Sequence, residues 1–139
     1  TMKAGDVDPA PSLVVGDMSF ISLTLVIPAL VAVAAENADF LLMVKPQFEI
    51  GKERLGHGGV VRNPEHHVET VESVARCAMD NGLGILAIEA SPLPGPSGNV
   101  EYFLHMRAGD SDAIASEELH SRIEDAVRRG PADGGEDRR

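Results

Sequence analysis

The 139-residue chain contains one cysteine, one tyrosine and no tryptophan. A lone cysteine excludes a disulfide framework and a cysteine-rich zinc site, and it fits a reducing compartment. An aromatic content of 4% leaves few platforms for stacking bases. Cations are scarce as well: 12 Lys and Arg stand against 22 Asp and Glu, a formal charge of −10. Sequence-blind binding of nucleic acid needs a basic face to displace counterions from phosphates, so this chain is not expected to do that alone. The N-terminus lacks the basic n-region of a secretory leader, and none is expected. What is present is ordinary for a globular protein. Apolar residues make up 43%, which excludes wholesale disorder, and the length suits one domain.

One run demands a membrane test. Met18 to Ala35 are 18 residues without a charge, and a bilayer span needs roughly 17–25 apolar ones. Ser19, Ser22, Thr24 and Pro28 interrupt the run. Its flanks are acidic (Asp17, Glu36, Asp39), where a spanning helix carries Lys or Arg. A turn followed by a buried amphipathic helix accounts for the same residues. The expectation is a soluble, cytoplasmic protein without a membrane partner.

Along the chain, residues 1–11 form a polar leader, 12–129 one folded unit, and 130–139 a tail of disordered composition. Leu13-Val14-Val15-Gly16-Asp17 reads as a short buried strand ending in an acid. A helix follows over roughly 22–35, with Pro28 expected to kink it or mark its true beginning. Phe40 to Val44 is a second strand. Residues 51–62 form a Gly-rich loop with Lys52, Arg54 and Arg62, which make 40–62 the only locally basic stretch, net +2. Asn63-Pro64-Glu65 is a strong helix start: a capping side chain, proline at the first helical position, and an acid at the positive dipole end. Val68, Val71, Ala75 and Ala78 share one face of that helix, and Gly82 supplies its stop. A strand over 85–90, a loop over 91–99, a more polar strand over 100–106 and a helix over 111–129 complete the chain. The fold class is α/β: three parallel strands plus one antiparallel strand with flanking helices, resembling half of a doubly wound sheet.

Ligands of open parallel sheets bind beyond the carboxyl ends of the strands. Asp17 ends the first strand and Lys45 the second. An antiparallel strand entered from the 91–99 loop begins at the same edge and brings Glu101 there. These three are the candidate catalytic residues, flanked by two Gly/Pro-rich loops. Ser97 and Asn99 are candidate substrate contacts, or simply close the turn. Lys52, Arg54 and Arg62 are candidate phosphate contacts, or an ordinary solvated loop. His66 and His67 lie in a first helical turn without ligands at metal spacing, so solvent exposure and no metal site are expected. Cys77 is expected to be a buried, inert thiol, and Phe48 to pack in the core.

The blocks GDMSFISL (16–23), VKPQFEIG (44–51), GGVVRNP (58–64) and SPLPGPSGNVEYFL (91–104) closely resemble the TlyA, or hemolysin A, family of rRNA 2′-O-methyltransferases. That resemblance covers residues 13–129. It implies an FtsJ-like Rossmann methyltransferase domain, S-adenosylmethionine as methyl donor and rRNA as partner. It also implies a Lys-Asp-Lys-Glu tetrad, whose last three members match Asp17, Lys45 and Glu101. The family's Gly-rich cofactor loop, its first tetrad lysine and its basic N-terminal RNA-binding domain lie upstream of the GDMSF block and have no counterpart in these residues. Gly56-His57-Gly58-Gly59 is no substitute for that loop, because no strand feeds it and the G-x-G-x-x-G spacing is missing.

The resemblance thus implies the C-terminal half of the methyltransferase sheet. Asp17 is its one candidate cofactor contact, and weak or no cofactor binding is expected for the chain alone. The alternative is a non-enzymatic half-domain serving as an interaction module. Membrane damage, suggested by the hemolysin name, is opposed by the acidic flanks and the strand–helix alternation. One structural expectation follows. The strand at 13–17 becomes an apolar edge, covered by residues 1–11 or by a second copy in a homodimer.

Overall fold

The computed structural model describes residue 3 and residues 5–18, 21–51, 59–93, 98–109 and 112–130. The elements are β1 (Leu13–Gly16), α1 (Leu23–Val33), β2 (Asp39–Val44), α2 (Pro46–Glu49), α3 (Pro64–Asp80), β3 (Leu83–Ala90), β4 (Tyr102–Ala108) and α4 (Ser116–Arg129). They build one four-stranded sheet of order β1-β2-β4-β3. β1 and β2 run parallel, and β4 is antiparallel to both of its neighbours. The three parallel strands and one antiparallel strand read from the sequence are present. The last strand is inserted between β2 and β3, so α3 must carry the chain across it.

Alternation along the strands sorts side chains onto two faces. Phe40, Leu42 and Val44 of β2, Tyr102, Leu104 and Met106 of β4, and Ile85 and Ile88 of β3 are buried in one core. Leu23 and Ile27 of α1, Val71, Val74 and Ala75 of α3, and Leu119 and Ile123 of α4 complete it. The opposite face carries Leu13, Val15 and Leu41, all exposed. Among the described residues, the helices therefore cover a single face, and β1 is an edge strand. Asp39, His105 and Arg107 sit on the open face, where Asp39 Oδ1 accepts from His105 Nε2 at 3.0 Å and Arg107 Nε at 2.9 Å. His105, followed by Arg107, draws the Asp39 carboxyl below its ordinary pKa against a partial desolvation effect.

Pro28 neither begins nor ends α1, which starts five residues earlier at Leu23. A helical proline strips one donor from the carbonyl four residues back. That carbonyl, of Thr24, accepts instead from the Cys77 thiol at 3.8 Å. The start of α1 is capped twice. Ser22 accepts from Thr24 N–H at 3.1 Å, while Glu49 of α2 accepts from Leu23 N–H at 2.8 Å and from the Ser22 hydroxyl at 2.6 Å. α2 is too short to show a period, and the sequence reading missed it; Pro46 at its first position marks its start.

α3 follows its signals closely. Asn63 caps Glu65 N–H at 2.9 Å, and Gly82 takes the left-handed φ of +88° after the last turn. α4 begins at Ser116, later than the periodicity of Ile114 suggested, because Ile114 N–H bonds to Ile85 O at 2.7 Å beside a bulge in β3. No helix among the described residues is long and apolar enough to cross a membrane. Of the tail expected over 130–139, Gly130 is buried and closes α4, and residues 131–139 lie outside the described residues.

Replacing Glu49 by Ala removes the acceptor of Leu23 N–H and one partner of the Ser22 hydroxyl, which also lies 2.7 Å from Thr24 Oγ1. The expected loss is about 1–3 kcal/mol, read from urea denaturation. Glu49→Gln is expected to keep part of it, since its amide oxygen still accepts from Leu23. Equal stability of Glu49→Ala and the parent would show that the remote cap is idle.

Candidate active site

β1 and β2 end at one edge of the sheet, and β4 begins there. Val44 of β2 faces Tyr102 of β4, which in turn faces Ala90 of β3. The next residues outward are therefore Lys45, Glu101 and Ser91, side by side. Asp17 follows directly on Gly16, the last residue of β1. Gly16 lies close under its neighbour: a Cβ there would be 2.7 Å from Leu42 Cδ2, and that buried side chain would have to shift.

Lys45 is only 7% exposed. α2 turns the chain back immediately after it, with Phe48 N–H bonding Lys45 O at 2.9 Å. Its ammonium pairs with the carboxylate of Asp17, which is itself exposed. Glu101, 6% exposed, accepts from Gln47 Nε2 at 3.3 Å. The other end of that amide, Gln47 Oε1, is buried and meets no donor among the described residues. A buried cation, one solvated and one buried carboxylate thus share a sheet edge. Such a group can hold a hydroxyl oxygen, neutralise charge developing on it and fix its orientation. Gln47 and Ser91, both buried at this edge, were not singled out by sequence reasoning; their place beside Lys45 and across from Glu101 was the available signal.

Asn99 is buried, and its amide is engaged with backbone. Oδ1 accepts from Val61 N–H and Nδ2 donates to Gly59 O, each at 2.9 Å. Arg62 is exposed one residue beyond Val61. Lys52, Arg54 and Ser97 lie outside the described residues. Phe48 is half-buried. Cys77 is half-buried rather than buried; burial, followed by the charges of Asp80 and Glu49, pushes its thiol pKa up. A thiol held protonated is a poor nucleophile.

The exposure expected for His67 is overturned: the residue is fully buried. Its Nε2 lies 2.8 Å from Val61 O, which can only accept, so Nε2 carries the hydrogen. Nδ1 then accepts from Tyr102 Oη at 2.9 Å. The first helical turn faces solvent on one side only, and His67 shares the inward side with Val71 and Val74. Burial pulls its pKa below the ordinary value.

This has a pH consequence. The unfolded chain protonates His67 near pH 6.5, whereas the folded chain resists, so stability drains as pH falls below about 6.5. Glu49 acts oppositely: burial raises its pKa, so the folded state gains protons first. Comparison with His67→Gln cancels Glu49. Between pH 7.5 and 5.5 the urea midpoint of the parent is expected to drop more than that of the variant; equal drops would refute a neutral buried His67.

A cavity of about 560 Å³ lies elsewhere, between α3 and α4. Glu65, Glu69, Glu72 and Glu124 line it beside Arg76 and His120, a net acidic surface that disfavours phosphates. Glu72, more than Glu124, raises the pKa of His120 there. No cluster of metal-ligating side chains occurs among the described residues.

A model of the FtsJ-like methyltransferase family matches residues 3–108. The chain is 49% identical over 119 residues to the 16S/23S rRNA (cytidine-2′-O)-methyltransferase TlyA of Mycobacterium tuberculosis, covering 86% of this chain and 44% of that protein. It is 32% identical to YqxC of Bacillus subtilis, named as an rRNA methyltransferase, over 84% of this chain and 43% of that one. Among solved structures, a hemolysin-named protein of Streptococcus thermophilus superposes with a TM-score of 0.78 at 31% identity, over 92% of this chain and 46% of its own. The chain thus spans less than half the length of these relatives. With its sheet, its motif blocks and its relatives in agreement, the chain belongs to the FtsJ-like methyltransferase family.

Proposed function

We propose that these residues form the part of an S-adenosylmethionine-dependent rRNA 2′-O-ribose methyltransferase that holds the acceptor hydroxyl. The observation that supports this best is the buried Lys45, paired with Asp17 and one ladder step from Glu101. Lys45 binds the ribose 2′-oxygen and favours loss of its proton as the oxygen takes the methyl group. Asp17 and Glu101 orient Lys45 and the hydroxyl. Asn99 acts on the substrate side by holding the chain at Gly59 and Val61, and Arg62, with Lys52, Arg54 and Ser97 of the adjoining loops, contacts RNA.

S-adenosylmethionine, when bound, supplies the electrophilic methyl group. Of the residues present, the exposed carboxylate of Asp17 suits it, by charge and by its place at the carboxyl end of β1. The chain by itself is expected to bind it weakly or not at all and to transfer no methyl group, whereas a longer polypeptide containing it does so in the cytoplasm, where rRNA is assembled.

The test is transfer of labelled methyl from S-adenosylmethionine to unmethylated rRNA. Label on a ribose 2′-oxygen with the longer protein, and none with residues 1–139 alone, is expected. A longer protein that methylates no rRNA, or only bases, overturns the reading.

The exposed Leu13 and Val15 on the edge strand β1 favour a second proposal: in isolation, two copies of the chain pair through residues 13–17. Sedimentation of a dimer with slowly exchanging Val14 and Val15 amides is expected. A monodisperse monomer whose two amides exchange fast refutes it.

A further inference from the structure

We propose that His67 and Tyr102 are positioning residues for the RNA-facing side of the site: with Asn99 they pin the backbone before Arg62 to the strand that carries Glu101. The RNA role rests on the function proposed above; the pin itself does not. Segment 59–61 is held at three backbone points. Asn99 takes Gly59 O and Val61 N–H, and His67 Nε2 donates to Val61 O. Tyr102 Oη closes the network on His67 Nδ1, with the two rings edge to face at 5.6 Å. Val61, His67, Asn99 and Tyr102 are all buried.

An imidazole in a core is costly unless both nitrogens are bonded, and apolar side chains of similar size would fill the space without that demand. A fully satisfied buried network instead permits one tautomer and one backbone path. Tyr102 directly follows Glu101, and Asn99 precedes it by two residues. The same four-residue stretch, 99–102, that sets Glu101 at the sheet edge therefore sets the origin of Arg62. The distance between the acceptor-holding groups and this phosphate contact becomes a property of the core rather than of a loop.

The pin is tested in the 139-residue chain. Nitrogen-15 shifts are expected to report His67 as the Nε2–H tautomer, with Val61 N–H protected from exchange. Tyr102→Phe and His67→Leu are expected to speed Val61 exchange at least tenfold beyond any change in global unfolding. His67→Gln, which retains a donor for Val61 and an acceptor for Tyr102, is expected to restore protection. An Nδ1–H tautomer, or Val61 exchange indifferent to all three substitutions, overturns the proposal whatever the enzyme does.

In the longer methyltransferase, Tyr102→Phe is expected to raise KM for rRNA severalfold, more than it lowers kcat. Faster Val61 exchange with KM unmoved would show a pin that serves the fold alone and would overturn the positioning role. A longer protein inert towards rRNA overturns the functional reading, and the RNA role with it, while the tautomer and exchange results stand by themselves.

Discussion

Methionine in place of Lys45 is expected to lower methyl transfer by the longer protein at least about a hundredfold, the low end of what a positioned acid–base group contributes. The fold should survive. Methionine has similar length and no charge, and it removes an ammonium that is only 7% exposed, so the change abolishes a desolvation cost along with the ion pair. Asp17, one of the groups that Lys45 meets, is largely in water and needs no replacement cation. The measurement is kcat beside the urea midpoint of the same variant. A hundredfold fall in kcat with an unchanged midpoint assigns Lys45 to the chemistry. More than a tenth of the parental rate would remove Lys45 from the active site, however well folded the variant.

Alanine in place of Phe40 tests the fold where its effect is largest. Phe40 is 2% exposed beneath the helices, and truncating a buried aromatic to alanine costs about 3–5 kcal/mol through lost transfer energy and the cavity left behind. Small domains have only about 5–15 kcal/mol in total, so the variant is expected to be marginal near 37 °C. Leu41→Ala is the control. It is the next residue on the same strand, but it points to the open face and should cost within about 0.5 kcal/mol. Similar losses at both positions would mean that the open face is covered in solution, which the edge-strand dimer described above would begin to explain.

Much of the architecture was legible because its signals are local. Continuous apolar runs bounded by a charge or a glycine marked β1 and β2, and Asn63, Pro64 and Gly82 marked both ends of α3 because capping and left-handed φ depend on single residues. Elements that answer to distant partners were less legible. Pro28 does not mark the start of α1, and the thiol that takes up the Thr24 carbonyl lies 53 residues away, beyond the reach of any local signal. The start of α4 slipped because the partner of Ile114 N–H is on β3. His67 was placed in solvent because the two partners that satisfy its ring, Val61 and Tyr102, come from a loop end and a strand that only the fold unites.

The candidate site divides along the same line. That Asp17, Lys45 and Glu101 stand at the ends of strands is a matter of sequence alone, because strand direction and chain order already dictate which end faces which. How they are held is not. The burial of Lys45 depends on a one-turn helix with no periodicity, and the bond from Gln47 to Glu101 spans 54 residues. The commitment of Asn99 to backbone depends on where segment 59–61 returns. Order and direction of the strands are written in hydrophobic runs and turn residues, which act over a few positions. Burial, tautomer and pairing are decided by which surfaces meet, and β4 inserted between β2 and β3 is what made them meet here.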